Sequence, residues 1–370
     1  MANLYIIISA FVSAVILGRI IIPNILIISL RKRLFDVPDE RKVHKRPIPR
    51  LGGVTFFPVI LFSLCVFTAV RLMTGHGPAD TSTTDLVCEF LFLTGGLTLL
   101  YIVGIADDLI GVRYRKKFLV QIISAAMFPL SGLYINNFYG FFGIYLIPAE
   151  VGIPLTMLLV VFITNAINLI DGIDGLASGL SMVALLVFGV LFVHFRMWSY
   201  AMLAFVTVGV IIPFFSYNVF GSADLGRKIF MGDTGSLTLG YILSFFVIKY
   251  CMYEPDMLLT MKTSPVLVSF SVLMVPCLDV IRVVLRRARN KRSLFMPDKT
   301  HIHHKFLAMG FSPRRALVTI QLMSACFCGF TIVAILYMNN TLVFVIDVVV
   351  WTLLNLWFDH VINRKAKNGE

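Results

Sequence analysis

Four short polar segments interrupt a chain that is otherwise mostly apolar. They are the pair Asp107-Asp108, the segment 165–177 (NAINLIDGIDGLA), the segment 228–235 (KIFMGDTG) and the segment 301–305 (HIHHK). Carboxylates, amides, imidazoles and lysines are the side chains that bind a divalent cation or a phosphate. If the fold brings all four segments to one side of a membrane, they predict an enzyme acting on a charged phosphate substrate. If the fold scatters them, that interpretation fails.

The segment 165–177 has the pattern of a cation-binding helix end. Asn165, Asn168 and Asp171 recur every three residues and therefore share one side of a helix, and Asp174 follows three residues later. Such oxygen ligands suit Mg²⁺, which binds a few protein oxygens together with substrate phosphates. Gly172 suits a turn in which a ligand approaches the backbone. The alternative is a polar helix end followed by a glycine turn, which leaves the register of the four polar side chains unexplained.

The segment 228–235 precedes a long apolar stretch, so Asp233 is expected near the start of a helix. The free N–H groups at a helix start attract anions, and Asp233 could hold a metal ion beside them. Phe230 comes just before the turn and could stack on a base. The alternative is that Asp233 or Thr234 only caps the helix.

The histidine segment predicts phosphate binding. If it is helical, His301 and His304 share a face and His303 points elsewhere. A transition-metal site needs further Cys or His ligands, which are missing nearby in the sequence. Contact with a phosphate, with Lys299 and Lys305 alongside, is the simpler hypothesis, and a solvated polar loop is the alternative.

Adjacent carboxylates such as Asp107 and Asp108 repel each other, so a cation should lie near them. Lys117 begins the next helix and could contact a phosphate. The alternative is a helix end whose charges pair with neighbouring basic residues. Asp279 and Arg282, one helical turn apart, are expected to form an ion pair that stabilises their own helix.

Composition indicates an all-α, polytopic membrane protein. Hydrophobic residues make up 58% of the chain and charged residues only 14%, against about 25% charged residues in soluble domains. Apolar stretches of about 20 residues span a bilayer as helices. The chain 1–370 is expected to be a single membrane-embedded domain. About eleven spans are predicted, over residues 3–28, 51–72, 87–106, 118–134, 151–169, 179–195, 198–217, 236–252, 266–285, 315–336 and 342–361.

The distribution of charge predicts the orientation. Most of the 32 Lys and Arg residues fall in loops that eleven spans would place on one side, which is therefore cytoplasmic. The N-terminus is expected outside and the C-terminus inside. All four polar segments then lie on the cytoplasmic face. The net charge of +12 is a topology signal with added attraction to the lipid bilayer, and it gives no support for nucleic-acid binding.

Together these motifs resemble the polyprenyl-phosphate N-acetylhexosamine-1-phosphate transferase superfamily (glycosyltransferase family 4). The resemblance covers nearly the whole chain and adds PIPRLGG (47–53) and Gln121 to the segments above. The chain is most similar to the WecA/TagO branch. The phospho-MurNAc-pentapeptide translocase branch (MraY) is a more distant relative, because it typically has ten spans and three consecutive histidines followed by an acid. Here Ile302 interrupts the histidines and Lys305 follows them.

The resemblance implies a role for each matching residue. Asp233 and Asn168 would coordinate Mg²⁺, for which Mn²⁺ could substitute. The implied catalytic residues are Asp107, Asp108, Lys117, His301, His303 and His304. The implied substrate-binding residues are Phe230 on uracil, Gly172 and Asp174 at its edge, and Asp171, Asn165, Lys45 and Lys305.

The implied reaction transfers GlcNAc-1-phosphate from UDP-GlcNAc to undecaprenyl phosphate and releases UMP, in the inner membrane of a bacterium. It would be the first membrane step of a cell-surface polysaccharide pathway, such as cell wall or lipopolysaccharide biosynthesis. Direct displacement is favoured over a covalent aspartyl intermediate. The alternative donors are another UDP-N-acetylhexosamine and UDP-MurNAc-pentapeptide. The alternative to an enzyme is a secondary transporter. The protein could also form a homodimer.

Overall fold

Long apolar helices dominate the computed structural model, which describes residues 1–36, 48–77, 83–252, 264–291, 293 and 300–368. Within these residues, ten helices are long and apolar enough to cross a membrane, so the predicted all-α, polytopic fold is confirmed. The fourth predicted span corresponds to the helix Tyr114–Leu130, whose 17 residues lie at the lower limit of a spanning length.

The helices, numbered in chain order, are α1 (Ala2–Lys32), α2 (Phe56–Met73), α3 (Thr83–Ile110), α4 (Tyr114–Leu130), α5 (Ala149–Ile170), α6 (Leu176–His194), α7 (Trp198–Val219), α8 (Gly232–Cys251), α9 (Pro265–Arg289), α10 (Ile302–Ala308), α11 (Pro313–Ala334) and α12 (Asn340–Asn368). A 3₁₀ turn, Gly52–Thr55, leads into α2. The strands are β1 (Phe35–Asp36), β2 (Ile48–Pro49), β3 (Asn137–Phe141) and β4 (Ile144–Leu146).

Two small antiparallel sheets were not predicted from the sequence. β1 pairs with β2, with Phe35 opposite Pro49. β3 and β4 form a hairpin between α4 and α5, with Phe141 opposite Ile144. The hydroxyl of Tyr139 donates to the carbonyl of Met252 at 2.9 Å. The hairpin therefore packs beside the C-terminal end of α8, while the start of α8 lies at the opposite end of the bundle.

Helix α8 is the centre of the bundle, and its apolar segment is completely buried. It packs against α3, α5, α6 and α9, and small residues let the backbones approach closely. A Cβ added at Gly104 of α3 would lie 2.6 Å from Thr234 Cα, and one at Gly240 would lie 2.7 Å from Thr164 Cα. These contacts fix the depth and rotation of α8, and with them the position of its first residues.

A buried ion pair joins α3 and α8 at the end away from Asp233. Lys249 Nζ lies 3.0 Å from Glu89 Oε1, and the two side chains are only 3% and 7% exposed. The Tyr200 hydroxyl donates to Glu89 Oε2 at 2.5 Å. Because both charges are removed from water, each depends on the other for compensation.

Lys249→Met should therefore destabilise the protein by about 3 kcal/mol, because it removes a cation that contacts the buried Glu89 carboxylate. Thermal unfolding of the detergent-solubilised protein measures the loss. The double variant Glu89→Gln/Lys249→Met should recover part of it, since both charges are then absent. A single variant that melts like the wild type would contradict a stabilising role for the pair.

Candidate active site

The polar segments predicted from the sequence meet around the first turn of α8. Asp107 and Asp108 end α3, Lys117 lies in the first turn of α4, Asn168 lies in the last turn of α5, and Asp233 is the second residue of α8. Successive helices run in opposite directions, so the end of one and the start of the next share a face of the bundle. The predicted convergence of these segments is confirmed.

Asp233 is at the centre of the cluster. Its carboxylate accepts a hydrogen bond from Asn168 Nδ2 at 3.0 Å and forms an ion pair with Lys117. Lys117 Nζ also lies 3.3 Å from Asp107 Oδ2. One ammonium group thus bridges the carboxylates of two motifs that are more than a hundred residues apart in sequence.

Asp108 supplies the cap of α8 from a neighbouring helix. Its Oδ1 accepts from the backbone N–H of Asp233 at 2.8 Å. Its Oδ2 accepts from the N–H and the hydroxyl of Thr234, at 3.0 Å and 2.6 Å. The residue at the N-cap position, Met231, makes no side-chain cap hydrogen bond. A carboxylate at a helix N-terminus satisfies free N–H groups and interacts favourably with the helix dipole, so Asp108 positions Asp233.

Only glycine fits at position 232. Its φ of +71° lies in the left-handed region, where side chains are disfavoured. An added Cβ would lie 2.2 Å from the carbonyl oxygen of Arg50 and 2.5 Å from Asp108 Oδ2. The glycine before Asp233 is therefore required by both the turn and the cap.

Backbone hydrogen bonds hold Phe230 next to the cluster. The N–H of Phe230 donates to the carbonyl of Pro49 at 2.7 Å, and Gly52 N–H donates to the Phe230 carbonyl at 2.9 Å. Ile229 and Met231 on either side are buried, whereas Phe230 keeps part of its surface exposed. The PIPRLGG motif thus presents the Phe230 ring at the rim of the site.

The turn after α5 adds two carboxylates. Asp174 Oδ2 forms an ion pair with Lys228 Nζ at 2.5 Å, a partner that sequence reasoning did not identify. Burial raises the pKa of Asp171 to about 8, and the negative charges of Asp233 and Asp174 raise it further. At pH 7 the Asp171 carboxyl is therefore largely protonated and adds little negative charge to the site.

Asn165, predicted to bind substrate, forms hydrogen bonds with Gln121 and with its own helix. Its Nδ2 donates to Gln121 Oε1 and to the carbonyl of Val161, both at 2.7 Å. Its Oδ1 accepts from Gln121 Nε2 at 3.3 Å. This reciprocal amide pair joins α4 to α5.

The histidine segment is held by Asp279, a residue that the sequence suggested only for an ion pair. That pair is present, with Arg282 Nη2 2.7 Å from Asp279 Oδ1. Asp279 is fully buried, and it also accepts from His301 Nδ1 at 2.7 Å and from the N–H of Ile302 at 3.0 Å. Because a buried carboxylate needs such donors, Asp279 anchors the start of α10. An aspartate inside a predicted membrane span was the signal that could have revealed it.

The orientation of the three imidazoles differs from the prediction. The rings of His301 and His303 are nearly parallel, with centroids 6.0 Å apart, and the His304 centroid lies 4.2 Å from that of His303. His301 precedes α10 as its N-cap residue, so the condition for a shared helical face with His304 is not met. Burial lowers the pKa of His303 to about 3, and the imidazoles of His304 and His301 lower it further. His303 is therefore neutral at pH 7.

His303 packs directly on the turn after α5. A Cβ built at Gly172 would lie 2.1 Å from His303 Nε2. The histidine segment and the 165–177 segment are thus in contact, and Gly172 is required by this close approach. Four of the predicted motifs form one continuous polar cluster.

Lys305, predicted to bind substrate, contacts two residues of the last helix. Its ammonium group lies 3.1 Å from Asn355 Oδ1 and 2.9 Å from Asp359 Oδ1. Both partners belong to α12, and Lys305 is only 4% exposed. It ties α10 to the last helix. Lys45 and Lys299, the other lysines predicted to contact substrate or its phosphate, lie outside the described residues.

Asp233 and Asn168 are neighbouring residues that could take part in a magnesium site. No group of three or more His, Cys, Asp or Glu side chains in the described part of the chain could hold a metal ion. Magnesium usually binds through one or two carboxylates, with water and substrate phosphates completing its shell. The Asp233 carboxylate and the amide oxygen of the adjoining Asn168 could supply part of such a shell.

The known proteins that are similar to this chain all indicate the same family. The model of "Glycosyl transferase family 4" matches residues 90–251. A Bacillus subtilis protein named as a probable undecaprenyl-phosphate N-acetylglucosaminyl 1-phosphate transferase is 32% identical, over 87% of this chain and 83% of its own length. A Yersinia pestis undecaprenyl-phosphate alpha-N-acetylglucosaminyl 1-phosphate transferase is 30% identical, over 80% of this chain and 76% of its own length. A Mycolicibacterium smegmatis decaprenyl-phosphate N-acetylglucosaminephosphotransferase is 31% identical, over 80% of this chain and 74% of its own length.

These relatives align over most of the chain, and the family model covers α3 to α8, the helices that carry Asp107, Lys117, Asn168 and Asp233. The chain is therefore a multi-pass membrane member of glycosyl transferase family 4.

Proposed function

We propose that this protein transfers GlcNAc-1-phosphate from UDP-GlcNAc to undecaprenyl phosphate and releases UMP. The names of the Bacillus and Yersinia relatives support this reaction. The observation that carries it is the contact of Asp233 with both Lys117 and Asn168, beside a histidine segment that touches Gly172. This cluster combines cationic groups and metal ligands at one end of the membrane helices, where a water-soluble nucleotide sugar and a lipid phosphate can meet.

The site is proposed to face the cytoplasm of a bacterium, from the inner membrane. The basic loops, including Arg113, Arg115 and Lys116, lie at the same end of the helices as the cluster, and such loops remain cytoplasmic. UDP-sugars would then reach Asp233 from the cytoplasm. The acceptor's hydrocarbon tail would stay in the bilayer while its phosphate enters between helix ends.

The chemistry is a displacement at phosphorus. An oxygen of the acceptor phosphate forms a bond to the β-phosphorus of the nucleotide sugar. The bond from that phosphorus to the oxygen bridging the α- and β-phosphates breaks, and UMP leaves with the bridging oxygen. Because two anions must approach each other, neutralisation of charge and positioning are the main catalytic requirements.

Lys117 is positioned to supply part of that neutralisation, since it already lies between two carboxylates and can turn to a phosphate. Asp233 and Asn168 would hold Mg²⁺, with Mn²⁺ as a substitute. When bound, the cation offsets the repulsion between the two phosphates. Neutral His303 and its neighbours would donate hydrogen bonds to the diphosphate or the sugar. Phe230, at the rim, would stack on uracil.

Asp107 is proposed to orient Lys117 and to act at most as a modest base. A phosphate monoester has a second pKa of about 6, so most of the acceptor is already a dianion at pH 7. Its oxygens can attack without losing a proton. Both oxygens of Asp108 are engaged by α8, so we assign it a positioning role and favour direct displacement over a covalent aspartyl intermediate.

The first test of this function uses the purified full-length protein in detergent, undecaprenyl phosphate, Mg²⁺ and a panel of labelled UDP-sugars. Labelled lipid should form with UDP-GlcNAc and should be abolished by EDTA and by Asp233→Asn. Asp85→Asn, an exposed site at the opposite end of α3, is the matched control and should retain activity. Absence of lipid product from any sugar, with an active relative run in parallel, would contradict the proposal. Product from another sugar only would correct the donor.

Gly172→Ala tests the contact between the two segments. The added methyl group would overlap His303 Nε2, so the histidine segment must shift, and we expect turnover to fall at least about tenfold, because an ångström-scale displacement of a catalytic group is costly. Gly329→Ala is the control, since nothing lies within 4 Å of a Cβ built there. Equal activities for the two variants would show that the observed packing is not needed for catalysis.

A further inference from the structure

A groove of about 580 Å³ lies between α1 and the segment that follows α7, apart from the aspartate and histidine cluster. Its walls are mainly apolar, with Leu26 and Ile27 on one side and Phe220 and Leu225 on the other. Two arginines, Arg19 and Arg227, and two serines, Ser216 and Ser222, also line it. Apolar walls with guanidinium and hydroxyl groups in the same groove suit an amphipathic anion.

The groove lies at the level of lipid headgroups. At the other end of the bundle, Arg71 donates hydrogen bonds to Asn3 of α1 and to Ser199 of α7. The two helices therefore begin at the same level. The 22 residues of α7 extend about 33 Å, close to the hydrocarbon thickness of about 30 Å. Arg19 lies over the ring of Tyr217 at 6.0 Å, near the end of α7. Its guanidinium is therefore at the surface of the bilayer.

Arg19 is exposed on a stretch of α1 whose neighbouring exposed side chains are aliphatic. Val12, Ile16 and Ile20 of the same helix are 44%, 53% and 56% exposed, as expected for a surface that contacts lipid. In the described part of the chain, Arg19 forms no ion pair with a carboxylate. An arginine on a lipid-facing helix is costly unless it reaches the interface and finds an anion there.

We propose that this groove binds an anionic phospholipid of the cytoplasmic leaflet. The phosphate would lie between the guanidinium groups of Arg19 and Arg227, which match phosphate geometry. The Ser216 and Ser222 hydroxyls would donate to headgroup oxygens, and an acyl chain would run along Ile16 and Ile20. Charge complementarity selects this occupant, since anionic lipids are enriched at the cytoplasmic surface. The proposal does not depend on the reaction at Asp233.

Native mass spectrometry of the full-length protein tests the proposal, with phosphatidylglycerol and phosphatidylcholine of identical acyl chains added separately. The wild type should bind phosphatidylglycerol about tenfold more tightly than phosphatidylcholine. Arg19→Gln and Arg227→Gln should each weaken phosphatidylglycerol binding about tenfold, the effect of losing one charged hydrogen bond. The affinity of Arg19→Lys for phosphatidylglycerol should lie between those of the wild type and Arg19→Gln, because lysine keeps the charge and loses the bidentate geometry.

The control is Arg364→Gln, which removes an exposed arginine from the end of α12 and should bind both lipids like the wild type. Melting temperatures close to that of the wild type verify that each variant is folded. Equal affinity of the wild type for the two lipids, or an equal loss in Arg364→Gln, would overturn the proposal. The proposal would also be overturned if undecaprenyl phosphate displaced phosphatidylglycerol competitively and Arg19→Gln raised the KM for the acceptor. These two results would assign the groove to the acceptor.

Discussion

The carboxylate of Asp108 binds the first N–H groups of α8, and the geometry of the active site depends on that contact. The apolar segment of helix α8 is fully buried, and neighbouring helices pack closely against it. The turn before it leaves room only for glycine at position 232. Asp233 is therefore held by its own helix on one side and by α3 on the other. Lys117 and Asn168 are arranged around this carboxylate, and the proposed nucleotide sugar would have to bind beside it.

Much of the fold was predictable because the bilayer imposes one strong rule. Each of the eleven predicted apolar stretches corresponds to a helix, since backbone groups in hydrocarbon must be paired within the segment. The hairpin Asn137–Phe141 with Ile144–Leu146 was missed because it continues an uncharged apolar run without strict alternation. The short helix Ile302–Ala308 was also unpredicted, as seven residues carry too little periodicity to reveal a helix.

The site was predictable in position but not in every contact. Successive membrane helices alternate in direction, which brings Asp107, Asn168 and Asp233 to one end of the bundle. The spacing of the apolar spans in the sequence is enough to predict this. Spacing does not say which neighbour a side chain meets. Asn165 shares a helix side with Asn168 and yet pairs with Gln121, and Lys305 pairs with Asp359, 54 residues later in the chain. Such partners depend on tertiary packing, which no local pattern encodes.

The Mg²⁺ dependence of Asp108→Asn tests most directly whether Asp108 builds the site or takes part in the chemistry. The account predicts that the half-saturating Mg²⁺ concentration rises about tenfold, because the amide loses a charged hydrogen bond to α8 and Asp233 is no longer held. Turnover at saturating Mg²⁺ should recover in large part. An unchanged half-saturating concentration combined with a lasting fall in kcat would contradict the account and place Asp108 among the reacting groups.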